Sequence, residues 1–188
     1  MYTEVERIAA FGVEYRLLVE EHLPVMLQWR NHPAVLPFMK DTRPLTPDIL
    51  RYWFRRICDD KTAIYYIVFK SDKPIGFVGL SNIDRKSCTY EDEIFLNPEY
   101  FGQRLSFNIL LCRELILDKL CLETALIKIR KKNTKSISLF KKSGYECIRE
   151  EGDFTIYQSD YVVRRKVLRN IAIAQGMEDE FIFHFGQE

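Results

Sequence analysis

Apolar and polar positions along the chain change period several times, and each change marks an element. Val13 to Val19 alternates loosely and predicts a first strand. Pro24 opens a helix running through Met26, Leu27 and Trp29, which ends near Asn31 because Pro33 disfavours helical geometry at His32. Thr46 and Pro47 supply the cap and first turn of a second helix, whose Ile49, Leu50, Trp53, Phe54 and Ile57 form one stripe. Ala63 to Phe69 and Ile75 to Leu80 are β-rich runs, and the turn-forming Ser71-Asp72-Lys73-Pro74 between them predicts a hairpin. Cys88 to Leu96 reads as a further strand stopped by Asn97-Pro98. From Leu105 to Leu120 the apolar positions Leu105, Ile109, Cys112, Ile116 and Leu120 recur at helical spacing. Thr124 to Ile129 is again a strand. Asn133 then caps a short helix with Ile137 and Phe140 on one face, and Gly144 provides its left-handed stop. Cys147 to Glu151, Phe154 to Gln158 and Tyr161 to Val167 are expected to complete the sheet, with Gln158-Ser159-Asp160 turning between the last two.

This order predicts an α+β fold: a mixed, mostly antiparallel sheet with one parallel crossover, strand–long helix–strand, and helices on both faces. Residues 1–167 are expected as a single domain and residues 168–188 as a C-terminal tail. In the tail Phe181, Phe183 and Phe185 alternate with other residues, as in a dimer-contacting strand or a segment ordered on binding.

Composition narrows the function classes. A chain of 188 residues suits one domain, with about 70% of its unfolded surface buried. With 28 basic and 27 acidic side chains the net charge is +1, which leaves no field to gather nucleic acid or an anionic membrane. No apolar run approaches the roughly 20 residues of a membrane span, and Met1 to Ala10 lacks an apolar signal core. Cys58, Cys88, Cys112, Cys121 and Cys147 are widely spaced, and His22, His32 and His184 complete no metal pattern. A cytoplasmic protein with reduced thiols and no metal is expected.

The segment from Asn133 to Tyr145 resembles the Asn-x-x-Ala-x-x-Leu-Tyr-x-Lys-x-Gly-Phe segment of the GNAT superfamily of N-acetyltransferases. The order of elements over residues 13–167 is similar too. The resemblance implies acetyl-coenzyme A as co-substrate, with Asn133 and its helix beside the pantetheine arm. Leu96-Asn97-Pro98-Glu99-Tyr100 matches the approach to the family's pyrophosphate loop, Arg/Gln-x-x-Gly-x-Gly/Ala, but Phe101, Arg104 and Ser106 stand at the three signature positions. The pyrophosphate is then expected over the amides of Gln103, Arg104, Leu105 and Ser106, where the long helix begins. Arg104 would replace the signature cation, provided the loop keeps negative φ values with its side chains outward. Phe95, Leu96, Asn133 and Phe140 complete the implied cofactor site.

Direct acetyl transfer needs an amine stripped of its proton and an acid for the leaving thiolate. Strand periodicity puts Glu91, Glu93 and Phe95 on one face, with Asp92, Ile94 and Leu96 on the other. The resemblance assigns Glu91 as the base; Glu93 falls where glycine is more usual and is expected on the acceptor side. Phe140 stands where the family often has an acidic tyrosine. Trp29-Arg30-Asn31-His32-Pro33, Phe38-Met39 and Thr46 to Phe54 resemble the acceptor-side helices of two branches, one acting on nucleotide-linked amino-sugars and one on protein N-termini. Arg30 could grip a diphosphate bidentately, with Phe38, Met39 and Trp53 against a sugar ring. Equally, Trp29 and Trp53 could be core and Arg30 could pair with a structural carboxylate. The expected acceptor is a small-molecule amine, with an amino-sugar nucleotide preferred. A protein N-terminus is the alternative acceptor, and a fold that has lost catalysis and binds a ligand or partner is a third reading. A homodimer is left open.

Overall fold

The computed structural model describes residues 5–186. Residues 1–4 and 187–188, at the outer ends of the expected domain and tail, lie outside the described residues. Strands β1 (Arg7–Ala10), β2 (Val13–Leu17), β3 (Ile64–Lys70), β4 (Lys73–Asp84), β5 (Thr89–Leu96), β6 (Thr124–Arg130), β7 (Glu146–Glu151) and β8 (Phe154–Ser159) form one sheet. Its order is β1-β2-β3-β4-β5-β6-β8-β7, with β5 and β6 the parallel pair. Helices α1 (Leu23–Arg30) and α2 (Pro47–Cys58) cover one face. The crossover helix α3 (Leu105–Leu120) covers the other, joined there by α4 (Thr134–Lys142), α5 (Tyr161–Ala174) and α6 (Glu178–Phe185). The α+β class, the single crossover and the helices on both faces are as expected.

Local chemistry sets the boundaries. The Thr46 hydroxyl accepts from the Ile49 amide at 3.3 Å and Asn133 Oδ1 from the Ser136 amide at 3.2 Å, so both helices start at their predicted caps. Ser71 and Asp72, both left-handed at φ 46° and 60°, close the β3–β4 hairpin in two residues. Leu105–Leu120 is helical over the predicted span, and its leucines are buried on nearly every side.

The C-terminal expectations need correction. Residues 161–167 are not a strand; they begin α5, which Asp160 caps by accepting from the Val162 amide at 2.8 Å. The helix runs unbroken through Val167 to Ala174. Leu168, Ala172 and Phe181 lie in the core, so the expected tail is neither a strand nor detached. Glu180 of α6 accepts the Phe11 amide at 2.5 Å, in the turn joining β1 to β2. Strand β1 itself was not anticipated.

One feature of the sheet positions the site. The parallel ladder pairs only Thr89, Tyr90 and Glu91 with Thr124, Ala125 and Leu126. From Asp92 and Ile127 onward β5 and β6 part, and the edge of β5 beyond Glu91 has no strand partner on that side.

Candidate active site

A cavity of about 360 Å³ fills the wedge between the parted strands. Asp92 to Phe95 of β5, Ile127 to Ile129 of β6, and Asn133 and Ser136 at the start of α4 form one side. The other side comes from α1, α2 and the segment Phe38 to Asp41. Arg30, Phe38, Met39, Trp53 and Glu93, the five residues expected on the acceptor side, all line it, as do Phe95 and Asn133. The floor is aromatic: Phe95 stacks on Phe77 at 4.8 Å, Phe77 on Tyr65 at 5.7 Å, and Trp53 meets Tyr65 edge-on at 5.0 Å. Gly79 permits this stack, because a Cβ there would lie 2.7 Å from the Tyr65 ring.

Charge is concentrated on the wall near Lys40. Its Nζ lies 3.0 Å from Glu93 and 3.4 Å from Glu91. Burial alone would lower the Lys40 pKa, but Glu93 and Glu91 outweigh it and hold the group above its ordinary value. Glu91, expected to face the acceptor, does not line the cavity; Glu93 does. Arg30 is 8% exposed and donates to the Asp41 carbonyl, while its Nη1 has no hydrogen-bond partner. Burial lowers the Arg30 pKa against the opposing pull of Asp41 and Glu93. A buried guanidinium nitrogen without an acceptor is costly unless a ligand supplies one. The wall therefore combines the Glu93 carboxylate, with Glu91 behind it, and an unsatisfied cationic donor.

The loop before α3 departs from expectation in one respect. Arg104 is not at negative φ; it is left-handed, φ 59° and ψ 18°, and Gly102 has φ 79°. Arg104 thus takes a conformation that favours glycine, at a steric cost of about 1–2 kcal/mol. Arg104 makes no side-chain cap, so the first amides of α3 are left for an outside acceptor, and its exposed guanidinium has no ion-pair partner among the described residues. These residues and the unpartnered edge of β5 fit a diphosphate followed by an extended arm. Gln103 is exposed; its side-chain Nε2 donates to the Glu99 carbonyl at 3.0 Å, while its backbone amide, expected under the pyrophosphate, donates to the Tyr100 carbonyl at 3.4 Å, and Ser106 is half-buried. Leu105 and Leu96 pack in the core below and do not line the cavity.

Phe140 is another correction. It is fully buried, edge-on to Tyr145 at 5.0 Å, and does not reach the cavity. Phe140→Tyr is therefore expected to give no gain in rate and to cost about 1–3 kcal/mol, because the hydroxyl is added to a fully buried ring and loses its water. A denaturant titration run beside a turnover assay checks both halves.

Sequence reasoning missed a buried polar network beneath the wedge. Arg113 donates to Asp92 Oδ2 at 2.7 Å, to Glu114 at 3.0 Å and to the Tyr145 oxygen at 3.2 Å. Tyr145 donates to Asp92 Oδ2 at 2.6 Å, and Arg164 Nε reaches both Glu114 oxygens at 2.9 and 3.0 Å. Burial raises the Asp92 pKa against the opposing pull of Arg113 and the Tyr145 hydrogen bond. Lys40 and Arg130 were missed as well. Their partners lie 51 to 91 residues away in sequence, and only the charge of each side chain was visible beforehand.

Comparison with known proteins agrees with this fold. The family described as acetyltransferase (GNAT) domain matches residues 13–146. The acetyltransferase PseH of Campylobacter jejuni is 26% identical over 137 residues, which cover 73% of this chain and 85% of that protein. The spermidine N-acetyltransferase of Vibrio cholerae, solved in complex with CoA and spermine, superposes with a TM-score of 0.73 at 17% identity, covering 81% of this chain and 98% of that one. An uncharacterised protein of Bacillus halodurans gives a TM-score of 0.75 at 16% identity, with 90% and 96% covered.

Proposed function

We propose, from the premise that the chain belongs to the GNAT acetyltransferase family, that its acceptor is a small amine carrying an anionic group, with an amino-sugar nucleotide the preferred candidate. The chain is an N-acetyltransferase, and acetyl-coenzyme A supplies the acetyl group. The observation that carries the finer reading is the pairing of opposite demands in one cavity. Glu93 in the wall, with Glu91 behind it, suits an ammonium, and the unpartnered, buried Nη1 of Arg30 suits an anion. An amino-sugar joined to a diphosphate carries both groups. Phe38, Met39, Trp53 and Phe95 offer apolar surface between them for a sugar ring.

In this reading Glu93 meets the acceptor ammonium in the cavity wall and takes up its proton, with Glu91 sharing the negative field behind it. The α1–α2 wall and the aromatic floor orient the amine and exclude water. The α3 amides and Arg104 hold the pyrophosphate, and Asn133 fixes the start of α4 beside the arm.

The test is an amine screen with acetyl-coenzyme A, pairing each nucleotide-linked amino-sugar with the same sugar free of its nucleotide. The linked form is expected to be the better substrate. Arg30→Lys keeps a cation and one bond to the Asp41 carbonyl but loses the fork. It is expected to raise the KM for the linked acceptor about tenfold and leave acetyl-coenzyme A affinity unchanged, as when uniform binding to one substrate is lost. Equal weakening of both ligands would make Arg30 a structural residue.

A further inference from the structure

Lys40 places a primary amine where the acceptor's amine is proposed to sit. Its Nζ lies 3.0 Å from Glu93, and the side chain lines the acetyl-transfer cavity. The backbone carrying it is fixed at three successive carbonyls. Arg130 Nε donates to the Met39 oxygen at 2.8 Å and its Nη2 to the Lys40 oxygen at 3.1 Å, while Arg30 holds the oxygen of Asp41. Arg130 is itself set against the Phe154 ring at 4.5 Å and lies 3.5 Å from Asp153. The Lys40 backbone is thus held on both sides while its Nζ meets one pair of carboxylates.

We infer that Lys40 is a site of self-acetylation: supplied with acetyl-coenzyme A and no other amine, the enzyme transfers the acetyl group to Lys40 Nζ. The inference rests on the acetyltransferase reading above. In the step, the freed Lys40 amine bonds to the acetyl carbonyl carbon and the carbon–sulfur bond breaks. The ammonium gives up two protons: one passes to Glu93 and on to solvent, and the other ends on the departing sulfur as coenzyme A thiol. No further reactant is needed.

Intrinsic reactivity predicts the opposite order of labelling. The same carboxylates keep Lys40 protonated more firmly than an ordinary lysine, so acetyl-coenzyme A acting from bulk solution would modify it slowly. Lys128 provides an internal comparison. It lines the same cavity, but its Nζ is held by Glu151 at 2.7 Å. Lys135, exposed at the start of α4, reports the bulk rate.

The experiment incubates the full chain with isotopically labelled acetyl-coenzyme A, without acceptor, and follows every lysine by peptide mass spectrometry over time. Lys40 is expected to label about tenfold faster than Lys128 or Lys135, since a positioned amine reacts at high effective concentration. Its rate is expected to saturate with acetyl-coenzyme A and to fall when desulfo-coenzyme A competes. A calorimetric titration with acetyl-coenzyme A runs beside it. Binding with Lys40 labelled no faster than Lys135, or labelled linearly and untouched by desulfo-coenzyme A, overturns the inference and leaves the acetyltransferase reading standing. No binding overturns both.

Discussion

Glu93→Gln is expected to lower the turnover number by ~10² or more, and Glu91→Gln by a smaller factor. Removing a positioned base typically costs a factor of this size. The amide is isosteric, so the strand and its packing stay intact while the proton acceptor disappears. The order of the two effects comes from the wedge. Glu93 lies in the cavity wall, whereas Glu91 sits on the last rung of the β5–β6 ladder and touches the site through the ammonium it shares at 3.4 Å. That order reverses the assignment that family resemblance gives to Glu91. Turnover at saturating acetyl-coenzyme A, with a thermal melt to confirm folding, decides it. Unchanged turnover in both variants would remove the pair from the chemistry, and a larger loss in Glu91→Gln would restore the family assignment.

The sequence was most legible where local chemistry and burial agree. Thr46-Pro47, Asn133 and the leucine-rich run from Leu105 to Leu120 each carry their boundary in a cap or a period, and each element forms where expected. It was least legible where a charged residue takes a core position. In α5 the buried stripe is Arg164, Leu168 and Ala172, spaced by four, but it begins with a guanidinium. An apolar pattern cannot register Arg164, so Tyr161 to Val167 looked like alternation, and the Asx cap at Asp160 looked like a hairpin turn. Strand β1 was hidden for a related reason. Its turn, Phe11-Gly12, is left-handed at both residues without the usual Asn-Gly signal, and Phe11 tolerates this with its ring buried against α6. In the site, Arg30, Trp53, Glu93 and Asn133, to which the family resemblance pointed, all line the cavity. Those missed act through distant partners. No reading of one segment brings Arg130 to the carbonyls of Met39 and Lys40.

The same buried charge that obscured α5 is expected to dominate stability. Glu114 is shared by Arg113 and Arg164, all three buried. Arg113 Nε and Arg164 Nη2 have no acceptor, so the network holds no spare carboxylate to take over. Glu114→Gln is therefore expected to cost about 3–5 kcal/mol, the usual consequence of leaving a buried charge without its counterion. In a domain whose whole stability is on the order of 5–15 kcal/mol, that is a large fraction. The pH dependence gives the effect a signature that lost packing would not have. Burial raises the Glu114 pKa, but Arg164 and Arg113 outweigh it and hold the folded-state value below the ordinary 4.5. The unfolded chain therefore binds the proton more tightly, and the contribution of Glu114 is fully present above pH 4.5 and fades as pH falls through the lower folded-state value. Urea titrations at neutral and acid pH should show wild type well above the variant at pH 7, with the gap narrowing on acidification. A gap that widens on acidification would mean that Glu114 is protonated in the fold, and a gap constant with pH that its pKa is the same in the folded and unfolded chain. Function is expected to follow stability, because Arg113 ties this carboxylate to Asp92, where β5 leaves β6. A strand loosened there would carry Glu93 out of line with the acceptor, lowering turnover even at temperatures where the variant remains folded.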